Sequence, residues 1–314
     1  MDQGVERGDL VATATAGGLS LRRARRRLFA PFWRFPWLRT ALQLFGPVGW
    51  MTLIYVAALA ALFVYAFWGI DVFTTKVVHT WSLDNFREIF QSGPFRGVIW
   101  RTVWIAAAVT ATCAAIAFPF GYYMARLASP RVRTVLFVLV LLPLWSSYLV
   151  RVYAWKVILA QDGILNWSLG KIGLPGANLG YSNTAMWIVF TYIWLPFMIL
   201  PVYAALERIP HSYIEASRDL GASGLTTLRR VVLPLALPGL AAGSIFTFSL
   251  TLGDYITPTL VGGAGSTFIG NVVYSTGLGV SGNLPFAAAF AAIPLVVMAI
   301  YLALAKRTGA FEAL

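Results

Sequence analysis

Six stretches of this chain are too long and too apolar to belong to a water-soluble fold. They lie near Phe45–Ile70, Ile99–Tyr123, Thr134–Tyr153, Thr184–Leu206, Leu235–Gly253 and Leu284–Ala305. Crossing a hydrocarbon core of about 30 Å takes roughly 20 apolar residues at about 1.5 Å each. In lipid a chain has no water to bond its backbone, so such a stretch folds as a helix. The pattern therefore predicts an all-α membrane protein of about six transmembrane helices. The fifth stretch is the least regular, interrupted by Pro238, Gly239 and Gly243. Membrane helices accept such residues where neighbouring helices satisfy the freed backbone.

Composition agrees. Of the 314 residues 59% are hydrophobic and only 11% charged, whereas about a quarter are charged in soluble domains. The net charge of +12 would suggest nucleic acid in a soluble protein. Here the basic residues flank the apolar spans, so lipid is the expected partner and nucleic acid is not. Six spans put both ends on one face, and the basic residues select which. Seventeen of the 24 Lys and Arg fall in the N-terminal segment, the loops at 124–133 and 207–234, and the C-terminal tail. The positive-inside rule places these four regions, with both termini, in the cytoplasm of a multi-pass inner-membrane protein.

This reading divides the chain into a basic, interfacial N-terminal segment (1–44), a transmembrane domain (45–306) and a cytoplasmic tail (307–314). A cytoplasmic loop at 207–234 lies within the domain. The run Leu21-Arg22-Arg23-Ala24-Arg25-Arg26-Arg27 resembles a twin-arginine signal. However, the following apolar stretch exceeds the roughly 7–15 residues of a signal core. The run reads as a cytoplasmic anchor followed by the interfacial aromatics Phe32, Trp33, Phe35 and Trp37. Three outer segments carry structure of their own: a helix behind a Ser82 cap with Leu83, Phe86 and Phe90 at helical spacing, residues 154–183, and the Gly-rich 254–283.

Catalytic and metal motifs are missing. The chain has no GxxxxGK[ST] phosphate loop, HExxH or GxSxG. Its two His and the single Cys113, set in an apolar run, supply no metal cluster, and Cys113 reads as packing. No catalytic, cofactor or metal residue is expected. Ion-coupled transporters carry acids or His inside their spans. Here Arg101, Arg126 and Arg151 lie near span ends and Asp254 at an exit. Neither ion coupling nor a complete pathway is expected from one such chain.

The longest inner loop is organised. Ser212-Tyr213-Ile214-Glu215 predicts a capping box that starts a helix. Tyr213, Ala216 and Leu220 form a short apolar face, and Gly221 stands where a left-handed stop belongs. A second helical run from Thr226 leads through Arg229 and Arg230 to Pro234. This helix–Gly–helix elbow suits the docking of a soluble partner.

Glu215-Ala216-Ser217-Arg218-Asp219-Leu220-Gly221, followed by Val231, Leu233 and Pro234, resembles the EAA loop of binding-protein-dependent ABC importer permeases. Ser217 replaces Ala and Val231 replaces Ile in that pattern. Other stretches are similar to the spermidine/putrescine-type permeases. They are Trp81–Phe86, Leu144–Arg151, Pro196–Pro201 and Leu252–Pro258.

The resemblance implies a type I ABC importer permease fold. It also implies a homologous second permease subunit, two ATP-binding subunits that hold ATP and Mg, and an external substrate-binding protein. It assigns ATPase coupling to Glu215, Ala216, Asp219, Gly221, Leu233 and Pro234. For a cationic polyamine, aromatic faces and carboxylates are expected along the path, and the candidates are Trp145, Tyr148, Asp254 and Tyr255. The alternatives are an importer for an opine, sulfate, iron or sugar, or a channel that works without ATP.

Overall fold

The computed structural model describes residues 36–71, 73–279 and 282–306, and residues up to 61 and from 62 onward form two compact units. The arginine run, Phe32, Trp33, Phe35, the Trp37 side chain and the 307–314 tail lie outside the described residues and side chains.

Helix α1 (Pro36–Ala66) is apolar all round, and none of its most hydrophobic stretch is buried inside the chain. Strands β1 (Gly69–Ile70) and β2 (Val77–Val78) pair antiparallel. The turn between them closes on Asp71, whose Oδ1 accepts bonds from the Phe73 and Thr74 amides at 2.9 and 2.8 Å. Those bonds hold the Asp71 carboxyl below its ordinary range. Helix α2 (Asp84–Gln91) lies where the sequence pattern predicts one, with Leu83 rather than Ser82 at its cap position. Its Asn85 donates to the Ala66 carbonyl, an orphan acceptor at the end of α1, and to the Trp68 carbonyl just beyond it.

Helix α3 (Gly93–Tyr122) runs into a π turn at Tyr123–Leu127. Next come α4 (Pro130–Leu141) with a 3₁₀ turn at Leu142–Trp145, α5 (Tyr148–Leu159) and the short α6 (Ile164–Lys171). Helix α7 (Asn183–Arg208) precedes the elbow helices α8 (His211–Asp219) and α9 (Gly224–Thr227). A second π turn, Leu228–Val232, leads into α10 (Leu233–Leu252). Helices α11 (Ile256–Val261), α12 (Ile269–Gly277) and α13 (Leu284–Lys306) complete the described chain.

Among the described residues five helices are long and apolar enough to cross a membrane: Gln43–Ala66, Gly93–Leu127, Asn183–Arg208, Gly224–Leu252 and Leu284–Lys306. The third expected span, Thr134–Tyr153, is instead a broken pair, Pro130–Trp145 and Tyr148–Lys171, bent by 95°. The break has a local cause. Pro143 lacks an amide proton and so cannot continue the α-helical bonding, and the chain tightens into the 3₁₀ turn Leu142–Trp145. Ser146 and Ser147 then take extended backbone, and the Ser146 hydroxyl bonds back to the Pro143 carbonyl at 2.7 Å. Averaged hydropathy cannot see this, because Pro and two Ser barely lower it. The fifth span, by contrast, is one continuous rod from Gly224 despite its Pro and Gly residues.

The main core lies among α3, α7 and the start of α10. Val109, Cys113 and Ala117 meet Phe190, Ile193, Val202 and Leu206, with Val232 and Ala236 joining from the elbow side. Cys113 is fully buried there, its Sγ 3.6 Å from the Thr191 carbonyl. A second cluster joins Ala66, Ile89 and Val98 to Ile269, Phe286 and Phe290. Small residues set how close the helices come. A Cβ on Gly239 would overlap Ala205, and one on Gly243 would lie 2.7 Å from Met198 Sδ. Van der Waals contact at this range is the main attraction between helices that lipid cannot drive together.

Candidate functional site

Two sites stand out, one at the elbow and one where α10 ends. At the elbow, α8 begins at His211 with Pro210 in the cap position and no side-chain cap. Ser212 therefore sits inside the first turn, so the predicted capping box does not form. Pro210 starts the helix itself, because its fixed φ and missing amide proton make it a natural boundary. The helix end matches expectation. Gly221 has φ +79°, its amide bonds to the Arg218 carbonyl at 2.8 Å, and the Ala222 amide reaches Ser217 at 3.1 Å. These are the two bonds of a Schellman stop. No atom lies within 4 Å of where a Gly221 Cβ would be. The position requires glycine for its backbone alone.

Only Ile214 anchors α8 inward, and Glu215, Ala216 and Asp219 are exposed. Tyr213 and Leu220 are exposed too, the latter at 89%, so the predicted apolar face is bare. The turn after Gly221 is closed by Ser223, whose side chain accepts from the Thr226 amide and starts α9 two residues before the predicted run. Ser217 and Thr227 hydroxyls bond across the two helices at 3.0 Å. Leu233 and Pro234 form the first turn of α10, directly after the second π turn. The coupling candidates thus lie along one short route from α8 into a membrane span.

A further set of residues ties this elbow to the bundle, and sequence reading missed it. Arg126, in the first π turn, donates from Nη2 to the carbonyls of Leu206 and Ile209 at the end of α7. Arg133 bonds from Nε to the Met124 carbonyl at 3.0 Å and approaches Glu207 at 3.6 Å. Glu207 also accepts from the Tyr203 hydroxyl at 3.0 Å. Cations beside the last carbonyls of a helix are stabilising. The one hint in the sequence is that these arginines fall in a loop predicted to face the same side as the elbow.

At the far end of α10, Tyr148 and Asp254 meet although 106 positions separate them. The Asp254 Oδ2 accepts from the Tyr148 hydroxyl and from Thr257 Oγ1 at 3.1 Å. Its Oδ1 accepts from the Ile256 and Thr257 amides at 2.7 and 3.2 Å. The Tyr148 ring stacks on Trp194, centroids 5.8 Å apart. Burial raises the Asp254 carboxyl above its ordinary value, and the four hydrogen bonds oppose that shift. Trp145 does not join this cluster and is 85% exposed. Tyr255 stacks instead on Tyr274, at 5.0 Å, and lines a separate apolar cavity of about 550 Å³ with Gly253 and Gly270. Trp194, which nothing in its local sequence marked, is the fourth member in practice.

Comparison with known proteins decides the family. Residues 117–309, more than half of the chain and including both sites, match the binding-protein-dependent transport system inner membrane component. The chain belongs to that family. It is therefore a permease subunit of an ABC transport system. The permease is 48% identical over 296 residues to the inner membrane ABC transporter permease protein YdcU of Escherichia coli K12, covering 90% of this chain and 94% of that one. It is 34% identical over 236 residues to the spermidine/putrescine transport system permease protein PotB of the same organism, covering 74% and 83%. Among solved structures, a bacterial alginate ABC transporter matches with a TM-score of 0.69 at 18% identity over 91% of this chain and 98% of that one. At that identity the match concerns the fold.

The Arg126 clamp is testable in the permease itself. Arg126→Leu leaves two carbonyls of buried residues without their charged donor, a loss of about 1.5–3 kcal/mol. Deuterium uptake across residues 206–214 should accelerate accordingly. Unchanged protection there would show that the clamp does not hold the elbow.

Proposed function

We propose that this permease forms half of the translocation path for a polyamine or related small amine. In this reading a homologous permease supplies the other half, two partner subunits bind ATP and Mg, and an external binding protein delivers the solute. The observation that carries the cationic substrate is the Tyr148–Asp254 cluster, a half-buried carboxylate beside stacked Tyr148 and Trp194 rings. Carboxylate and aromatic faces together suit an ammonium group. The PotB relatives, named for spermidine and putrescine, support the same class.

Asp254 already accepts four hydrogen bonds, about the capacity of a carboxylate. An arriving ammonium therefore displaces one donor, and the Tyr148 hydroxyl, carried on a different helix, is the one free to leave. At the other end, ATP binding closes the ATP-binding subunits and α8 moves with them. The Schellman turn and the Arg126 clamp pass that motion to α10 and α7. The bundle then rocks between inward-open and outward-open states, each favoured by a different ligand.

Three outcomes follow. The elbow lies in the cytoplasm, as 17 of 24 basic residues imply. A Ser223→Cys label in a Cys113→Ala background should then react only from that side, and external labelling would reverse the orientation.

Gly221→Val forces a side chain into left-handed backbone at a cost of about 1–2 kcal/mol. That tilts α8 without unfolding the bundle. The assembled complex should form while solute-stimulated ATP hydrolysis and uptake are lost together, and intact coupling would reduce the elbow to a loop. Glu215→Ala, at an exposed position, should be milder.

Asp254→Asn removes a charge-assisted contact of about 1.5–3 kcal/mol, so putrescine uptake into vesicles holding all subunits should fall at least about tenfold. Because burial raises this carboxyl, wild-type uptake should decline on acidification before an ordinary carboxylate would protonate, and Asp254→Asn should abolish that dependence. Equal uptake by wild type and Asp254→Asn would remove Asp254 from the path.

A further inference from the structure

A cavity of about 340 Å³ opens at the elbow end between α7 and α10. Pro201, Ala204 and Ala205 form one wall, and Leu235, Pro238 and Ala242 form the other. Arg208 and Tyr213 stand among the lining residues where α7 ends and α8 begins. The depth of the groove comes from small side chains, since Gly239 lets α10 touch Ala205 directly. Among the described residues neither carboxylate nor carbonyl pairs with Arg208, although its neighbour Glu207 is engaged by Arg133 and Tyr203. The permease therefore places an unneutralised guanidinium in the last turn of a membrane span, beside an apolar slot.

We propose that this slot binds one anionic glycerophospholipid of the leaflet on the elbow side, its phosphate on Arg208 and an acyl chain against the Pro–Ala–Leu walls. Three features select a lipid over a segment of protein. The last turn of a span is the depth at which headgroup phosphates lie, and basic pockets between spans on that side suit anionic headgroups. The walls are helical, so their backbone groups are mostly bonded within their own helices. The Leu206 and Ile209 carbonyls at the end of α7 are taken up by Arg126. An extended polypeptide in the slot would leave its amides unmet, whereas an acyl chain needs no partner. Finally, Arg208 supplies the charge and the tyrosine hydroxyl a polar contact, which together fit a phosphodiester. The proposal needs α7 and α10 to span a membrane but does not depend on which solute is carried.

Lipid retention tests it. The complete transporter is taken into nanodiscs of phosphatidylcholine doped with phosphatidylglycerol, released, and weighed intact by native mass spectrometry. Wild type should retain phosphatidylglycerol about fivefold above its bulk share, the preference expected from one interfacial Arg. Arg208→Gln should bring the ratio to the bulk value, and Arg208→Lys should keep most of the enrichment. Ala204→Phe, which fills the slot, should remove the bound lipid itself. Bulk composition on wild type, or unchanged enrichment in Arg208→Gln, would overturn the proposal. Should Arg208→Gln fail to assemble, a photoactivatable phosphatidylglycerol on wild type decides: crosslinks at 201–208 and 235–242 uphold it, and their absence there rejects it. Uptake of putrescine by the wild type is a separate readout, so failure of the lipid site and failure of the amine assignment cannot be confused.

Discussion

Helix α7 is the axis against which α3 and α10 are set, and what sets them is close backbone approach. Gly239 and Gly243 bring α10 onto Pro201, Ala205 and Met198, and Gly121 brings α3 to within 3.3 Å, measured from its missing Cβ to Val202. In lipid no hydrophobic gain drives one apolar helix onto another, so dispersion between closely fitted surfaces must do it. Both candidate sites are placed from that crossing. The π turns at Tyr123–Leu127 and Leu228–Val232 close the elbow end of the two helices packed on α7. At the other end, α10 stops at Leu252 and presents Asp254 to Tyr148.

Charge is used sparingly and at the edges. The described spans hold almost no acid inside, and the two acids that matter are both enclosed by donors: Glu207 by Arg133 and Tyr203, Asp254 by Tyr148, Thr257 and two amides. The basic side chains do a different task at the elbow end, where Arg126 and Arg133 close off backbone carbonyls. An intramembrane charge without such company is expensive, and Glu207, Asp254, Arg126 and Arg133 are each met by groups from another element. The same arrangement makes each charge a link between helices. A movement of α8 reaches Ile209 within two residues, and Ile209 is already bonded to α3 through Arg126.

Much of this was legible in the residues. Long apolar runs can only be helices in lipid, so the number and approximate limits of the spans follow from hydropathy. Gly221 could be read as a left-handed stop because the motif places it one turn after a polar helix that must reverse, and its φ of +79° agrees. The start of α8 was misread, since Ser212 and Glu215 have capping-box spacing but Pro210, just before them, takes the boundary. The unbroken third span was also misread, because Pro143 with Ser146 and Ser147 changes backbone direction while leaving average hydropathy high.

The sequence alone determined a membrane-spanning, all-helical chain with an organised elbow, because these depend on interactions between near neighbours: apolar length, glycine conformation and local spacing. It named Tyr148 and Asp254 as separate candidates. Only the tertiary structure decided that these two meet, that Trp194 rather than Trp145 stacks beside them, and that Tyr255 opens onto another cavity. It likewise decided that Arg126 holds the end of α7 and that Arg208 is left without a partner at the mouth of a slot. These are contacts between residues far apart in the chain. Their partners are chosen by the crossing of α7, α3 and α10 and by a 95° bend, and no local pattern encodes where those bring a side chain to rest.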